Sequence, residues 1–599
     1  MLRALAALAV VTLVPPVVVA TGGGADLDLP GGGRVAFFEA AAPALAALGA
    51  LFAWLVPPRG GRVWHVLRGL AILQFAVVAG VCWLGGFQTS WLSVRDPLRP
   101  ALIGLALLAL SSLRGLRWPA SLRGGRGVLE ALALAAGATT LLGAVVASDL
   151  SALRGRVAPA LAREPAGALP DVIFLLVDTL RADALGAYGA SPSVSPTLDA
   201  LAAESVVFRR AIAQAPWTLP SVFSLMTSRL PSTLDPVHRA APGDENLART
   251  LPEDVPALVP ALRGAGYHTA GFQKNPWLGP GSGLERGFDV YELVGGDSAE
   301  YRSAGQLVDA ALAWARSVAA VRRDPSARAP VFLYVHFMDP HAGYLPPDAF
   351  VPPEARAYDG PVDGSARSLH RVTRRPEGPS ERDVAQMRAL YRGEVAYLDA
   401  EIARLRSGLE ALGVWGPGTV VVLCADHGEQ FGEHGRFEHR DVHTENVHVP
   451  LLVRVPGVPP GRVDPPVPLL DLAPTLLDLL GVDSLPGREG RSLLDALHGA
   501  PVEPRPVLTE FGPESRVTTS RWSLLRREEG IALYDLEADP GETRDRAAER
   551  PGAVRALTRV VERRDARADT LQAGASEPPA RQVDAETRRA LEALGYLRE

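Results

Sequence analysis

From Val172 onward, short runs of apolar, mostly β-branched residues alternate with stretches in which apolar residues recur at helical spacing. Runs at 172–177, 205–208, 268–272, 331–336, 419–424 and 450–455 predict strands. Helical spacing predicts helices at 196–203, 220–228, 252–264, 303–318, 384–411 and 470–480. In the longest of these, Met387, Leu390, Tyr391, Val395, Leu398 and Ile402 recur at helical spacing, which predicts a packing helix. Strands that alternate with helices make a layered α/β domain. The Pro-, Gly- and Arg-rich stretch 353–383 lacks any period and predicts a long surface loop, either a solvated insertion or a lid near His341. Beyond residue 500, Pro506–Phe511, Trp522–Arg526 and Ile531–Asp535 predict three short strands of a smaller antiparallel sheet, and the charged tail 546–599 is predicted helical.

The first 147 residues follow a different pattern, with apolar stretches at roughly 4–20, 35–56, 64–86, 98–113 and 127–147. A spanning helix needs about 20 apolar residues, so the second, third and fifth suffice and the first and fourth are marginal. The first stretch reads either as a signal peptide, with Arg3 ahead of its apolar core, or as a retained span. Arg59, Arg62 and Arg68 flank one loop, and Arg114, Arg117, Arg123 and Arg126 fill another. Basic loops stay in the cytoplasm, so five spans carry everything after about residue 148 to the outside. The expected organisation is an all-α transmembrane region at 1–148, a linker at 149–170, a catalytic domain at 171–500, a small-sheet subdomain at 501–545 and a charged helical tail at 546–599. A multi-pass protein of a bacterial inner membrane, with the lipid bilayer as partner and its catalytic domain outside the cytoplasm, fits this plan.

A chain of 599 residues is too long for one core. Its net charge of −6 argues against a nucleic-acid partner, which would need a basic face. The two cysteines, Cys82 and Cys424, both sit in apolar runs and predict no disulfide. Among 61 basic residues a single lysine, Lys274, remains, which marks it either as a chance survivor or as a place that needs a compact ammonium.

Two strand ends carry acidic groups: Asp178 follows 172–177, and Asp426-His427 follow 419–424. Ligands of open α/β sheets bind at the carboxyl ends of strands. Two carboxylates and an imidazole suit Mg, Mn, Ca or Zn. Between them lies Pro216-Trp-Thr-Leu-Pro-Ser221, with a hydroxyl at Thr218. Pro220 fits a first helical turn, which would set that hydroxyl near a positive helix end able to hold an anionic ester. A cation on Asp178, Asp426, His427 and Thr218 would activate it. The plainer alternatives are a helix-capping role for Thr218 and Asp178, and a polar turn at Asp426-His427.

Taken together, Val177-Asp-Thr-Leu-Arg-Ala-Asp183, Ser195-Pro-Thr-Leu-Asp199, Pro216-Trp-Thr-Leu-Pro-Ser221, Gly266-Tyr-His-Thr-Ala270, Leu333-Tyr-Val-His-Phe-Met-Asp-Pro-His341, Ala425-Asp-His-Gly-Glu429, Gly432-Glu-His-Gly435 and Leu533–Pro540 resemble the sulfatase family of the alkaline phosphatase superfamily. The resemblance implies an alkaline phosphatase-like sandwich, with a central, mostly parallel sheet between helices. It also implies an ester hydrolase or phosphotransferase. Sulfatases carry Cys or Ser in C-x-P-S-R, oxidised to formylglycine; here Thr218 and Val222 stand at the nucleophile and Arg places, so no formylglycine is expected. A threonine there is similar to lipoteichoic acid synthases and phosphoethanolamine transferases. The resemblance further implies that His341 is a general acid, that Lys274, Asn275 and His439 contact substrate, and that Thr179, replacing a second Asp, favours one Mn or Mg over Ca. The expected substrate is a phosphate or sulfate ester, lipid- or glycan-borne. A conventional sulfatase and a catalytically silent envelope scaffold are the alternatives.

Overall fold

The computed structural model describes residues 169–234, 250–295, 304–324 and 328–572. The chain divides into two units, 1–156 and 157–599, and all described residues belong to the second. The five apolar stretches therefore lie outside the described residues. Among the described residues no helix is long and apolar enough to cross a membrane.

The core is an eight-stranded mixed sheet. In chain order its strands are β1 (Val172–Val177), β2 (Val206–Phe208), β3 (His268–Gln273), β4 (Val290–Leu293), β5 (Val331–Phe337), β6 (Val420–Ala425), β7 (Leu451–Arg454) and β8 (Gly461–Val463). Across the sheet they run β8-β2-β7-β6-β1-β5-β3-β4. β1 pairs in parallel with both β5 and β6, whereas β7 runs antiparallel to β6 and β2. Every residue of β1, β5 and β6 is buried, as unbroken apolar runs in a central parallel sheet require. Strands β4 and β8 were not expected; β4 is only half-buried and β8 is exposed over two of its three residues, so neither shows the apolar run that marks a central strand.

The helices are α1 (Pro196–Ala203), α2 (Thr218–Thr227), α3 (Leu258–Gly264), α4 (Ala304–Val321), α5 (Ala366–Thr373), α6 (Glu381–Ala411), α7 (Leu472–Leu479) and α8 (Pro551–Gln572). α4 packs on β3 and β5 and against α6, while α2 packs against α3 and α7. The helix expected from residue 252 begins only at Leu258, because Pro252 and Pro256 disfavour helical backbone in the residues before them. The stretch 353–383 is not a plain loop: it holds a helical turn at Pro353–Arg356, then α5, then a capping box that starts α6. In that box Ser380 Oγ accepts from Asp383 N (3.2 Å) and Asp383 Oδ2 accepts from Ser380 N (2.9 Å).

The C-terminal sheet has four strands, not three: β9 (Val507–Phe511), β10 (Glu514–Thr518), β11 (Trp522–Arg527) and β12 (Gly530–Asp535). β10 shows no apolar run because its buried positions include Ser515, Arg516 and Thr518, and Arg516 is paired with Glu542 at 2.9 Å rather than left in water. The sheet builds its own small core with α8, from Val517, Leu524, Leu533, Leu557 and Val561, and is tied to the main domain. Glu510 Oε2 accepts from Ser232 N (2.7 Å), and α8 packs beside Pro231–Leu234.

Candidate active site

Parallel pairing aligns Val177 with Phe337 on one side and with Ala425 on the other, so β1, β5 and β6 end at the same level. Asp178 N donates to Phe337 O (2.9 Å) and Asp426 N donates to Val177 O (3.2 Å). The two carboxylates thus leave neighbouring strand ends together, although 248 positions separate them in the chain.

The turn after β1 is strained. Thr179 has φ 55°, a left-handed conformation costly for a β-branched residue by about 1–3 kcal/mol. Three contacts hold it there. Thr179 N donates to Asp426 Oδ1 (3.3 Å), while Tyr391 Oη donates to Thr179 O and accepts from Arg181 N, both at 2.9 Å. Arg181 in turn donates to Glu429 O (2.9 Å) and pairs with Glu433 (2.8 Å), tying the turn after β1 to the loop after β6. In that loop Gly428 is sterically required: a Cβ there would meet Glu445 O at 2.0 Å.

Thr218 opens α2 as its first helical residue, with Trp217 as the cap. Its hydroxyl is not a capping group; Oγ1 lies 3.2 Å from Asp178 Oδ2, to which it donates, and 3.4 Å from His427 Nε2. Ser221 Oγ, one turn on, donates to Asp426 O (2.6 Å) and anchors the helix start to the second carboxylate's backbone. His427 Nδ1 faces Gly428 O at 3.0 Å, and a carbonyl only accepts, so Nδ1 carries the proton and the Nε2 lone pair is directed inward. Nε2 stands 3.5 Å from both Asp178 Oδ1 and Asp426 Oδ2. Asn275 completes the group: Nδ2 donates to Asp178 Oδ2 (2.9 Å) and to Thr218 Oγ1 (3.2 Å), while its Oδ1 accepts from Trp277 N (3.0 Å).

The structure therefore brings together Asp178, Thr218, Asp426, His427 and Asn275, all fully buried. Lys274, also buried, donates from Nζ to Gln306 Oε1 at 2.5 Å. His439 and His341 form a row with His427, their ring centroids 4.6 Å and 5.1 Å apart in turn. His336, a weaker candidate that the sequence leaves out because a lone histidine is more often a hydrogen-bonded residue than a ligand, reaches within 3.8 Å of Asp178 through Nε2.

Burial pushes the Asp178 carboxyl up to about 7 and the Asp426 carboxyl well above the usual range, with the charge of Asp178 adding to the latter. Burial and the neighbouring His439 hold His427 well below its ordinary value, so it is a neutral imidazole. His439 is the exception: burial opposes its charge, but the Glu429 carboxylate at 3.2 Å outweighs burial and raises it. Asp178 Oδ1 and Asp426 Oδ2 have no hydrogen-bond partner among the described residues. Two buried carboxylates with orphaned oxygens beside a neutral imidazole fit a divalent cation, because a buried charge without a partner is strongly disfavoured. Asp178, Asp426, His427 and Thr218 supply hard and borderline donors for it.

The family model described as Sulfatase matches residues 170–482, and the one described as N-sulphoglucosamine sulphohydrolase, C-terminal, matches 432–562. A choline-sulfatase of Rhizobium meliloti is 26% identical over 443 residues, which cover 64% of this chain and 84% of that protein. An arylsulfatase K of Gallus gallus is 30% identical over 201 residues, 30% of this chain and 37% of the relative. Among solved structures, the phosphonate monoester hydrolase of Agrobacterium radiobacter superposes with a TM-score of 0.51 at 21% identity, covering 67% of this chain and 96% of the other, which shows a shared fold.

Proposed function

Because this chain belongs to the sulfatase family and is an ester hydrolase of that superfamily, we propose that it cleaves a sulfate ester, with the Thr218 hydroxyl as the attacking group at one divalent cation. The observation that carries this reading is the meeting of Thr218 Oγ1 with Asp178 Oδ2 and His427 Nε2 at 3.2 and 3.4 Å. The named activities of the curated relatives support sulfate as the group attacked.

When bound, the cation supplies Lewis-acid polarisation of the ester and a lowered hydroxyl pKa. The chain's own groups do the rest. Asn275 orients Oγ1 by donating to it, and the electron pair released when the hydroxyl gives up its proton makes the attack. Asp178 Oδ2 receives the hydroxyl proton across the existing hydrogen bond. The start of α2 and His439, whose imidazolium form the Glu429 carboxylate favours against burial, hold the anionic ester. His341, its Nδ1 engaged with Ala342 O at 3.0 Å, uses its other ring nitrogen to protonate the departing alkoxide. Water then resolves the Thr218 ester.

The expected outcome is that Thr218→Ala abolishes turnover while metal content stays at the wild-type level; wild-type rates in that variant would overturn the nucleophile. A phosphorus ester is a second reading. Thr218 itself favours it, because a threonine cannot become the formylglycine of the resembled sulfatases and its ester must be displaced directly. Relative rates on aryl sulfate and aryl phosphodiester decide between them. The arginine-rich loops among the five apolar stretches support a membrane-anchored enzyme with this unit outside the cytoplasm. Protease added to intact spheroplasts should cut the catalytic unit; full protection would contradict that placement.

A further inference from the structure

We infer that His336 is a further ligand of the cation and that Gln273 positions it, so that the ion takes two imidazoles rather than one. This rests on the metal-centred reading above and adds two residues to it.

His336 is the penultimate residue of β5, in register with Leu176 of β1 and Gln273 of β3. Residues in register on parallel strands face the same side of a sheet, so the imidazole and the Gln273 amide are neighbours there. Both side chains are fully buried. Neither ring nitrogen of His336, and neither Oε1 nor Nε2 of Gln273, has a hydrogen-bond partner among the described residues. A neutral imidazole offers one lone pair and one N–H, and each buried group left unmatched costs about 1–3 kcal/mol. Two adjacent side chains with every polar atom unmatched therefore call for an occupant.

The geometry points to what it is. One ring nitrogen of His336 lies within 4.8 Å of an oxygen of each of Asp178 and Asp426, and those two oxygens are equally close to each other. Ligands about 2.0–2.2 Å from a shared ion sit roughly 3 Å apart when adjacent and about 4.2 Å when opposite. Shifts of a few tenths of an ångström close the group onto one ion. The cation takes the lone pair of His336, and Gln273 Oε1 accepts the remaining N–H, the arrangement that fixes the tautomer of a metal-bound histidine. Asn275 argues for one ion rather than two, because its Nδ2 covers Asp178 Oδ2 while its Oδ1 is committed to Trp277 N. The donor set becomes two imidazoles, two carboxylates and a hydroxyl. Such a set favours Zn, Mn or Fe(II) and disfavours the all-oxygen ions Ca and Mg.

The test uses the full chain loaded with Zn. X-ray absorption of the wild-type protein should count two imidazole ligands; a count of one overturns the inference without any variant. Chelator competition should show Zn affinity lowered at least 100-fold in His336→Ala and about 10–100-fold in Gln273→Leu. Ca affinity should change far less in both. In the Co(II)-loaded protein the visible spectrum should shift in His336→Ala and in the milder His336→Asn. A purely structural role would lower the melting temperature of the metal-free variants and leave Zn affinity and the Co(II) spectrum unmoved, which also overturns the inference. Wild-type protein that binds no divalent ion would sink the metal-centred reading itself, an outcome distinct from a count of one imidazole.

Discussion

Tyr391 holds Thr179 in place from a position 212 residues further along the chain: its hydroxyl donates to the Thr179 carbonyl at 2.9 Å. The same oxygen accepts from Arg181 N, so one phenol satisfies both backbone groups flanking the strained turn that carries Asp178. Tyr391→Phe keeps the ring and its packing but leaves a buried carbonyl and a buried N–H unmatched. The expected loss is about 1–3 kcal/mol of stability by chemical denaturation. Divalent-ion affinity should fall with it, because the turn that aims Asp178 is loosened. A variant as stable and as tight for metal as wild type would show that strand pairing alone holds the turn.

Thr179 also bears on the choice of ion. Its Oγ1 is buried without a hydrogen-bond partner among the described residues, and its N–H already touches Asp426 Oδ1 at 3.3 Å. Thr179→Asp adds a third carboxylate beside Asp178 and Asp426. Since Ca affinity follows the number of charged oxygen ligands, it should rise about tenfold or more in calorimetric titration. Unchanged Ca affinity would mean that residue 179 does not face the ion.

The raised Asp178 carboxyl gives the metal-free protein a pH signature. Its folded value of about 7 exceeds the unfolded value of 3.8, so the folded apo state binds the proton more tightly. The stability from that proton is present below the unfolded value and is lost as pH rises towards about 7. In EDTA, the melting temperature should therefore fall between pH 5 and pH 8. An added ion at 100 times its dissociation constant contributes about 2.7 kcal/mol and should restore more at pH 8 than at pH 5. Calorimetric scans with and without metal check this, and a gap that narrows with pH would contradict the assignment.

Glu433 shifts the other way. Burial would raise its carboxyl, but Arg181 and Arg388, at 2.8 and 2.7 Å, outweigh burial and hold it down at about 2. A depressed carboxylate contributes stability that is present above its unfolded value of 4.5 and is lost as pH falls towards about 2. Glu433→Gln should flatten the stability curve within that acid window and leave the window between pH 6 and 8 less steeply altered. Urea melts at closely spaced pH values provide the reading.

Much of this protein is written locally in its chain. The runs Val172–Val177 and Val420–Ala425 announce central strands because a strand buried on both faces has no use for alternation. Pro196–Ala203 forms a helix over the residues whose spacing predicts it. Asp178, Thr218, Asp426 and His427 could be singled out because each sits at an element's end, where a side chain leaves the core and faces a ligand. Asn275 was within reach for the same reason, two residues past β3. Gln273 and the Tyr391 hydroxyl were not, and His336 offered only a weak signal, since each is one polar group inside an apolar strand or a packing helix, and its meaning lies in residues 63 to 212 positions away. Likewise Ser515, Arg516 and Thr518 hid β10, because the partners that let polar groups be buried come from elsewhere in the chain. Periodicity is a one-dimensional property, and the residues themselves determined the strands, most of the helices and the reactive ends. Which polar groups share a charge, hold a strained turn or surround a cation depends on distances through the folded chain, and strand register together with the packing of α2 and α6 decided those.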